Sequence, residues 1–251
     1  MIFHTYGNKE NKAVVLIHGM LTPWQIWNYA IEKFSKDYYV VVPELDGHTE
    51  DEPSRFFSAG TEAAVIGEYI EKELNNEVYL LAGLSMGGAI ASTIAMCFPQ
   101  MLIEHLVLDG APLRKVNGIL QFIMIQNYRN LIKRSRKRDS KLIERSKKEF
   151  LPEEYTEYYL KIADNMDIYD IRWMISTVFI NSIDRSYPND IKILFMHGTK
   201  GNESVAAKSA LTVKEFNPQT EIRVFDGLAH AELACFKPEQ WYEEVRSFIS
   251  A

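Results

Sequence analysis

The sequence predicts an α/β fold in which a mostly parallel central sheet is flanked by helices and carries one helical insertion. Short apolar runs rich in β-branched residues alternate with segments of helical periodicity, the pattern of a parallel sheet covered on both faces. Strands buried on both faces read as nearly continuous apolar stretches. Such runs occur at Ala13–Ile17, Tyr38–Val42, Val78–Ala82, Leu106–Leu108, Ile191–Met196 and Ile222–Phe225.

The other elements are predicted in chain order from edge position and helical spacing. Met1–Tyr6 is expected to add an edge strand. A first helix presents one apolar face, made of Trp24, Trp27, Ile31 and Phe34. A second presents Val65, Ile66, Tyr69, Ile70 and Leu74. Pro238 suits the first turn of a last helix, since its missing N–H is not needed there. The apolar face of that helix is Trp241, Val245, Phe248 and Ile249.

One long stretch, from Pro112 to Pro188, interrupts the alternation of strands and helices. It contains no convincing strand, and its helix-like segments are rich in Tyr, Ile, Arg and Lys. A plain connection of that length is uncommon in a compact domain, so the stretch is expected to have structure of its own. We therefore predict a core made of residues 1–111 and 189–251, with a helical lid insertion at 112–188.

Composition and charge limit the class of protein to which the chain can belong. A chain of 251 residues fits one sizeable domain, and 47% apolar with 25% charged residues is ordinary for a globular protein. The net charge of −6 gives no general attraction to nucleic acid or acidic membranes. No apolar run is long enough to span a bilayer, and Met1–Glu10 has no signal-peptide pattern. The two cysteines, Cys97 and Cys235, lack metal-type spacing. A cytoplasmic protein is expected.

A nucleophile motif directly follows the predicted strand Val78–Ala82. The segment reads Gly83-Leu84-Ser85-Met86-Gly87-Gly88 and leads into an Ala-rich, helix-like stretch. This is strand, sharp turn and helix with G-x-S-x-G at the turn, which lets a serine hydroxyl project above the sheet. Side chains at Gly83 and Gly87 would collide with the neighbouring helix and strand. The context predicts that Ser85 is a nucleophile.

On these residues the chain resembles the α/β-hydrolase superfamily. The resemblance covers essentially the whole chain, and the insertion at 112–188 stands where that superfamily carries its lid. It implies the α/β-hydrolase fold and a serine-hydrolase, esterase-like activity. A serine hydroxyl needs an adjacent base, and in this fold the base follows the last strand. His230 lies in such a loop, Asp226–Leu233, and is the predicted base.

The other five histidines are expected to have different roles. His4 and His105 are expected to be solvated, at an edge and at a helix–strand link. His48 resembles a structural loop of the superfamily. His197 ends a strand ahead of the expected acid position. His18 belongs to the segment His18-Gly19-Met20, which follows the strand Ala13–Ile17.

That segment is the predicted source of one oxyanion-hole donor. The oxyanion formed in acyl transfer needs preorganised N–H groups. The resemblance implies that the two donors are the backbone N–H of Met86, directly after the nucleophile, and the backbone N–H of Met20. Leu21 is the weaker alternative to Met20.

The acid of the triad departs from the superfamily's pattern. The usual aspartate follows the strand before last, but Gly201 occupies that place here. Glu203, two residues later, is the best carboxylate of the loop. The rival is Asp109, at the end of the strand Leu106–Leu108, since some members take the acid from that strand. Both assignments stay open at this point, with Glu203 preferred.

The insertion contains a basic run, Lys133–Arg138, followed by Lys141, Arg145, Lys147 and Lys148. The preferred interpretation is a solvated helix, with an anionic substrate or a membrane surface as the alternative. The apolar neighbours Leu131, Ile132, Leu142 and Ile143 are few, so no membrane partner is expected. Lids usually close an apolar pocket over the serine. The residues predicted to line it are Met124, Tyr128, Tyr155, Tyr159, Trp173 and Met174.

The predicted activity is hydrolysis of a small-molecule carboxylic ester through an acyl-enzyme on Ser85, with His230 as base. Carbon–carbon bond hydrolysis, a lyase reaction and thioester hydrolysis are the alternatives within the same fold. A non-catalytic binding protein is the alternative of a different class. No metal, no organic cofactor and no nucleic-acid partner are expected. The sequence leaves the oligomeric state open.

Overall fold

A computed structural model describes residues 1–180, 183–201 and 203–250 of the chain. Its strands are β1 (Ile2–Tyr6), β2 (Ala13–Ile17), β3 (Tyr39–Glu44), β4 (Glu77–Leu84), β5 (Leu102–Asp109), β6 (Lys192–Gly198) and β7 (Glu221–Phe225). Its α-helices are α1 (Asn28–Phe34), α2 (Ala59–Glu73), α3 (Met86–Cys97), α4 (Gly118–Arg136), α5 (Ser140–Glu149), α6 (Thr156–Asn165), α7 (Asp170–Ile180), α8 (Ser204–Phe216), α9 (Glu232–Phe236) and α10 (Pro238–Ile249). Short 3-10 helices at Trp24–Trp27 and Glu153–Tyr155 precede α1 and α6.

The seven strands form one sheet in the order β1-β3-β2-β4-β5-β6-β7. Only β1 runs antiparallel to its neighbour, and every other pair is parallel. The predicted α/β fold class is therefore confirmed, and each predicted strand overlaps an observed one. The central strands are buried along nearly their whole length because helices cover both faces.

The sheet brings its functional segments to one edge. Parallel strands share a direction, so the loops after β2, β4, β5, β6 and β7 all leave the carboxyl edge. Ligands bind at this edge in open α/β sheets. The register places Ile17, Gly83 and Leu108 side by side, and Asp109 beside Met196. Residues after each of these strands therefore converge above the sheet.

Between β5 and β6 the chain forms α4 to α7, where the sequence predicted a helical insertion. Residues 181 and 182 of the predicted 112–188 segment lie outside the described residues. Helix α4 begins at the cap Asn117, whose side chain accepts a hydrogen bond from the N–H of Leu120. Helices α4 and α7 pack against each other. Within the part of the chain that the structure describes, no helix is both long and apolar enough to span a bilayer.

The expectation that His4 and His105 are solvated is wrong for His105. That residue lies inside β5 rather than at a link, and it is buried. Its Nδ1 bonds the carbonyl of Tyr79, and its ring packs edge-on against Phe248. His4 is half-buried on β1, where Nε2 contacts Glu44 Oε2 at 2.9 Å and the ring stacks on Trp24.

Candidate active site

Ser85 lies at the turn between β4 and α3, in a strained backbone conformation. Its φ of 52° and ψ of −113° are values that non-glycine residues rarely adopt. The surrounding structure fixes this turn, because the N–H of Ser85 donates to the carbonyl of Asp109 at 2.7 Å and its own carbonyl accepts from Ala89. This backbone conformation directs the Ser85 side chain out of the sheet.

The glycines on either side of Ser85 allow this turn to close. A Cβ on Gly83 would lie 2.3 Å from the carbonyl of Gly87, on the helix. A Cβ on Gly87 would lie 2.3 Å from the carbonyl oxygen of Ile17, at the end of β2. Neither approach is compatible with a side chain. The glycines of G-x-S-x-G are therefore required by close backbone contact on both sides of the turn.

His230 lies in the loop after β7, where its Nε2 is 2.8 Å from the Oγ of Ser85. The loop is held by its neighbours: Leu228 accepts backbone hydrogen bonds from Thr199 and Lys200, each at 3.0 Å. Ala231 follows in the left-handed region, with φ of 63°. The imidazole is about a quarter exposed, so it can exchange protons with bound substrate and water.

Glu203 contacts the other ring nitrogen of His230, Nδ1, through Oε1. Its second oxygen, Oε2, accepts from the N–H of Gly198 at 2.9 Å. An ionised carboxylate only accepts hydrogen bonds, so Nδ1 carries the proton and Nε2 is free to accept the Ser85 hydroxyl proton. The structure thus brings Ser85, His230 and Glu203 into one hydrogen-bonded series.

The electrostatic environment keeps Glu203 ionised. Burial alone raises the pKa of this carboxyl, which is 2% exposed. The hydrogen bond and charge of His230 and the N–H of Gly198 lower the pKa, and together they leave it below its ordinary value. Glu203 also precedes the first turn of α8, where the helix dipole favours a negative charge.

Asp109, the rival acid, lies at the end of β5 and hydrogen-bonds to Trp241 rather than to His230. Its Oδ2 accepts from the indole N–H of Trp241 at 3.0 Å. Burial, together with the nearby charge of Glu203, raises the pKa of Asp109 to about 7. Asp109 therefore lies in an environment that favours the neutral acid, and it is not a member of the hydrogen-bonded series Ser85–His230–Glu203.

Gly110 is a site residue that the motif search missed. Its φ is +61°, and a Cβ there would lie 3.0 Å from Cε1 of His230 and 3.2 Å from Nδ1. A side chain would push the imidazole away from Ser85. The sequence held a signal for it, because a glycine directly follows the aspartate that ends β5 at the carboxyl edge.

Met20 and Met86, whose N–H groups are the predicted oxyanion donors, line the same cavity as Ser85. The first N–H groups of a helix have no partner within it, and Met86 begins α3. The alternative donor is already in use, since the N–H of Leu21 donates to Nε2 of His48 at 3.0 Å. Of Met20 and Leu21, it is Leu21 whose N–H is bound to His48, so Met20 remains the predicted donor.

His18 and His48 hold this donor loop from below. In each ring Nδ1 lies against a backbone carbonyl, so Nδ1 carries the proton and Nε2 accepts a backbone N–H, from Leu45 and Leu21 respectively. Burial lowers the pKa of His18 to about 3 and that of His48 to about 4. Both rings are neutral supports of the loop, a structural role of the kind expected for His48.

A cavity of about 440 Å³ opens above Ser85, between the sheet edge and the inserted helices. Its wall is mostly apolar and contains no Lys, Arg, Asp or Glu among the described residues. The residues that α4 and α7 contribute are Leu120, Met124, Asn127, Tyr128, Met174, Ile175, Val178 and Phe179. Such a wall accepts an uncharged, largely apolar group.

Three of the six residues predicted to line the pocket do so, namely Met124, Tyr128 and Met174. The prediction is wrong for the other three. Tyr155 and Tyr159 are buried outside the cavity lining, and the Tyr159 hydroxyl pairs with Ser135 Oγ inside the insertion. Trp173 lies on the outer face of α7 and is 46% exposed.

Among residues 1–180, 183–201 and 203–250, no group of three or more His, Cys, Asp or Glu side chains is arranged to hold a metal ion. The chemistry that this arrangement can perform is nucleophilic, because a serine hydroxyl is aligned with an imidazole base at the floor of an apolar cavity.

Comparison with known proteins agrees with the observed fold. The family model described as alpha/beta hydrolase family matches residues 14–233. Among curated proteins, epoxide hydrolase 4 of Mus musculus is 29% identical over 105 residues, which cover 41% of this chain and 29% of that protein. The aligned region thus spans less than a third of that relative's length.

Solved structures match over nearly the whole chain. An alpha/beta hydrolase family protein of Desulfitobacterium hafniense has a TM-score of 0.77 and 21% identity, over 99% of this chain and all of that one. A carboxylesterase structure from Nitrososphaera gargenis has a TM-score of 0.75 and 16% identity, over 99% of this chain and 93% of that one. At these identities the likeness establishes the shared fold.

Proposed function

The chain belongs to the alpha/beta hydrolase family, and we propose that it is a serine hydrolase that cleaves carboxylic esters through an acyl-enzyme on Ser85. The observation that carries the proposal is the hydrogen-bonded series Glu203–His230–Ser85 at the floor of an apolar cavity. Nucleophile and base lie within hydrogen-bond reach, and the base is oriented by a third group.

In the proposed first half-reaction, Ser85 Oγ attacks the ester carbonyl carbon while Nε2 of His230 takes the hydroxyl proton. The negative charge that develops on the carbonyl oxygen is stabilised by the N–H groups of Met20 and Met86. Glu203 stabilises the imidazolium through Nδ1–H. Collapse of the tetrahedral intermediate expels the alcohol, which receives the proton from Nε2, and leaves the acyl group on Ser85.

In the second half-reaction, water attacks the acyl carbon and gives a proton to Nε2 of His230. The second tetrahedral intermediate collapses to the carboxylic acid, and Ser85 Oγ recovers the proton from Nε2. The same groups act in both halves, so no further base is required.

The chain is similar in sequence to an epoxide hydrolase, but the proposed reaction is not epoxide hydrolysis. Attack of the Ser85 hydroxyl on an epoxide carbon would form an ether, which lacks a carbonyl and so is not hydrolysed by this machinery. Attack on an ester carbonyl instead forms another ester, which the same His230 and oxyanion donors can hydrolyse. The chemistry of a serine nucleophile therefore favours acyl transfer.

A panel of p-nitrophenyl esters of increasing acyl length tests the proposal. We expect turnover with an initial burst of nitrophenol, and a Ser85 peptide heavier by one acyl group in rapidly quenched samples. Parallel reactions with the corresponding thioesters separate an esterase from a thioesterase. Binding without turnover of any ester would contradict the proposal and favour a non-catalytic binding protein.

Changing the cavity wall should change acyl-length preference. Met124→Ala removes a side chain that lines the cavity, so we expect relative kcat/KM values to shift toward longer acyl chains. Each additional buried methylene contributes about 0.8 kcal/mol, or roughly a fourfold change in rate. The matched control is Trp173→Ala on the outer face of α7, which should leave the ratio of long-chain to short-chain rates unchanged. Equal shifts in both variants would contradict the assignment of the wall.

A further inference from the structure

The charge of this protein is divided between its two parts. Residues 112–188 contain 15 Lys and Arg against 10 Asp and Glu, a net charge of +5. The rest of the chain contains 13 basic and 24 acidic residues, a net charge of −11. An anionic surface therefore attracts the inserted helices and repels the sheet domain, which orients the molecule with the insertion toward that surface.

The insertion also exposes an apolar stripe beside the cavity. At the start of α4, Ile119 is 77% exposed, Phe122 62% and Ile123 48%. These side chains share one face, since residues three and four apart are neighbours on a helix. On the adjoining face, Leu120 and Met124 line the cavity above Ser85. The stripe is therefore continuous with the wall of the site.

Further along the same exposed face the side chains become basic. Within α4, Lys133 lies within about 20° of the azimuth of Phe122. Lys137 is the C-cap residue directly after α4, and it follows Ile119 by eighteen residues, or about five helical turns, which places it on the same side of the helix end. Both lysines are exposed. Neither forms an ion pair within the described ranges 1–180, 183–201 and 203–250. One face of α4 is thus apolar at the cavity and cationic at its far end.

We propose that this face of α4 binds an anionic lipid surface, with Ile119, Phe122 and Ile123 inserted among the acyl chains and Lys133 and Lys137 at the headgroups. This departs from the sequence-based expectation of no membrane partner. Substrate entry from the lipid phase rests on the proposed esterase function, whereas the binding itself does not. A second copy of the chain fits this face less well, since a two-fold contact would bring two insertions of net charge +5 together.

Co-sedimentation of the Ser85→Ala variant of the 251-residue chain with vesicles tests the binding without turnover. Equal mixtures of phosphatidylcholine and phosphatidylglycerol are compared with phosphatidylcholine alone. We expect binding to the anionic vesicles that weakens with added salt. A triple variant, Ile119→Ser with Phe122→Ser and Ile123→Ser, should lose at least about tenfold in affinity, and so should Lys133→Gln with Lys137→Gln. The matched control is Lys208→Gln with Leu211→Ser, exposed positions on α8, which should bind as before.

Other outcomes assign the face differently. Absence of anionic-vesicle binding, or equal binding by the triple variant and the control, would overturn the proposal. So would a concentration-dependent dimer in sedimentation velocity that the triple variant lacks, since the face would then hold a second copy. Hydrolysis of water-soluble p-nitrophenyl butyrate by protein with native Ser85 separates the two proposals. Turnover without vesicle binding removes only the docking surface, whereas binding without turnover removes only the esterase.

Discussion

Ser85→Ala is expected to lower kcat by about four to six orders of magnitude and to abolish covalent labelling by a fluorophosphonate probe. The hydroxyl is the atom that forms the acyl bond in the proposed mechanism, and it lies 2.8 Å from the base. A loss of 10⁴ corresponds to about 5.5 kcal/mol of transition-state stabilisation. The remaining rate would come from substrate binding and the oxyanion donors. Labelling is measured by gel fluorescence, and kcat with p-nitrophenyl butyrate.

The matched control is Ser92→Ala, on helix α3, which directly follows Ser85. Ser92 is buried, and its Oγ hydrogen-bonds with the Tyr187 hydroxyl at 2.8 Å. This variant should keep full labelling and unfold at a somewhat lower temperature, since a buried hydrogen bond contributes about 1 kcal/mol. Ser85→Ala, in contrast, should unfold near the native temperature. Full labelling of Ser85→Ala would mean that another serine is the nucleophile.

The fold and the strand–turn–helix around Ser85 could be predicted because their signals are local. A buried strand, a turn and a helix follow one another around Ser85, and the two glycines are required by contacts of 2.3 Å. His230 could be placed because the last strand fixes the position of its loop. These features need no knowledge of how distant helices pack.

Features that depend on contacts distant in the sequence could not be decided in the same way. The choice between Met20 and Leu21 depends on His48, 27 residues beyond Leu21, which occupies the Leu21 N–H. The pocket wall depends on how four inserted helices rotate against one another, and spacing alone did not separate Tyr159 from Met124. Gly201 stands at the expected acid position with φ of +66°, so the loop there turns through a left-handed residue and the carboxylate comes two residues later.

Glu203→Gln is expected to lower kcat by at least about a hundredfold with little change in the fold. Oε2 of Glu203 accepts from the N–H of Gly198. An amide that keeps its oxygen there must present its NH₂ to Nδ1 of His230, which then accepts and moves its proton to Nε2. Nε2 faces Ser85 and could no longer take the hydroxyl proton. In a serine protease the equivalent acid-to-amide change costs about 10⁴. The measurement is kcat with p-nitrophenyl butyrate, beside thermal unfolding.

Asp109→Asn is the matched control, and it should lose less than about tenfold, so that the two variants differ by more than about 1.4 kcal/mol. An asparagine oxygen can still accept from Trp241, and the Ser85 N–H bonds the backbone carbonyl of residue 109, which the change retains.

Burial already raises the pKa of Asp109 to about 7. Ionisation therefore costs native stability as the pH rises from about 4 through 7, and Asp109→Asn should be more stable relative to native protein at pH 8 than at pH 5.

A large loss of kcat in Asp109→Asn with a small loss of kcat in Glu203→Gln would move the acid to β5. Small losses in both would mean that Ser85 and His230 act as a dyad.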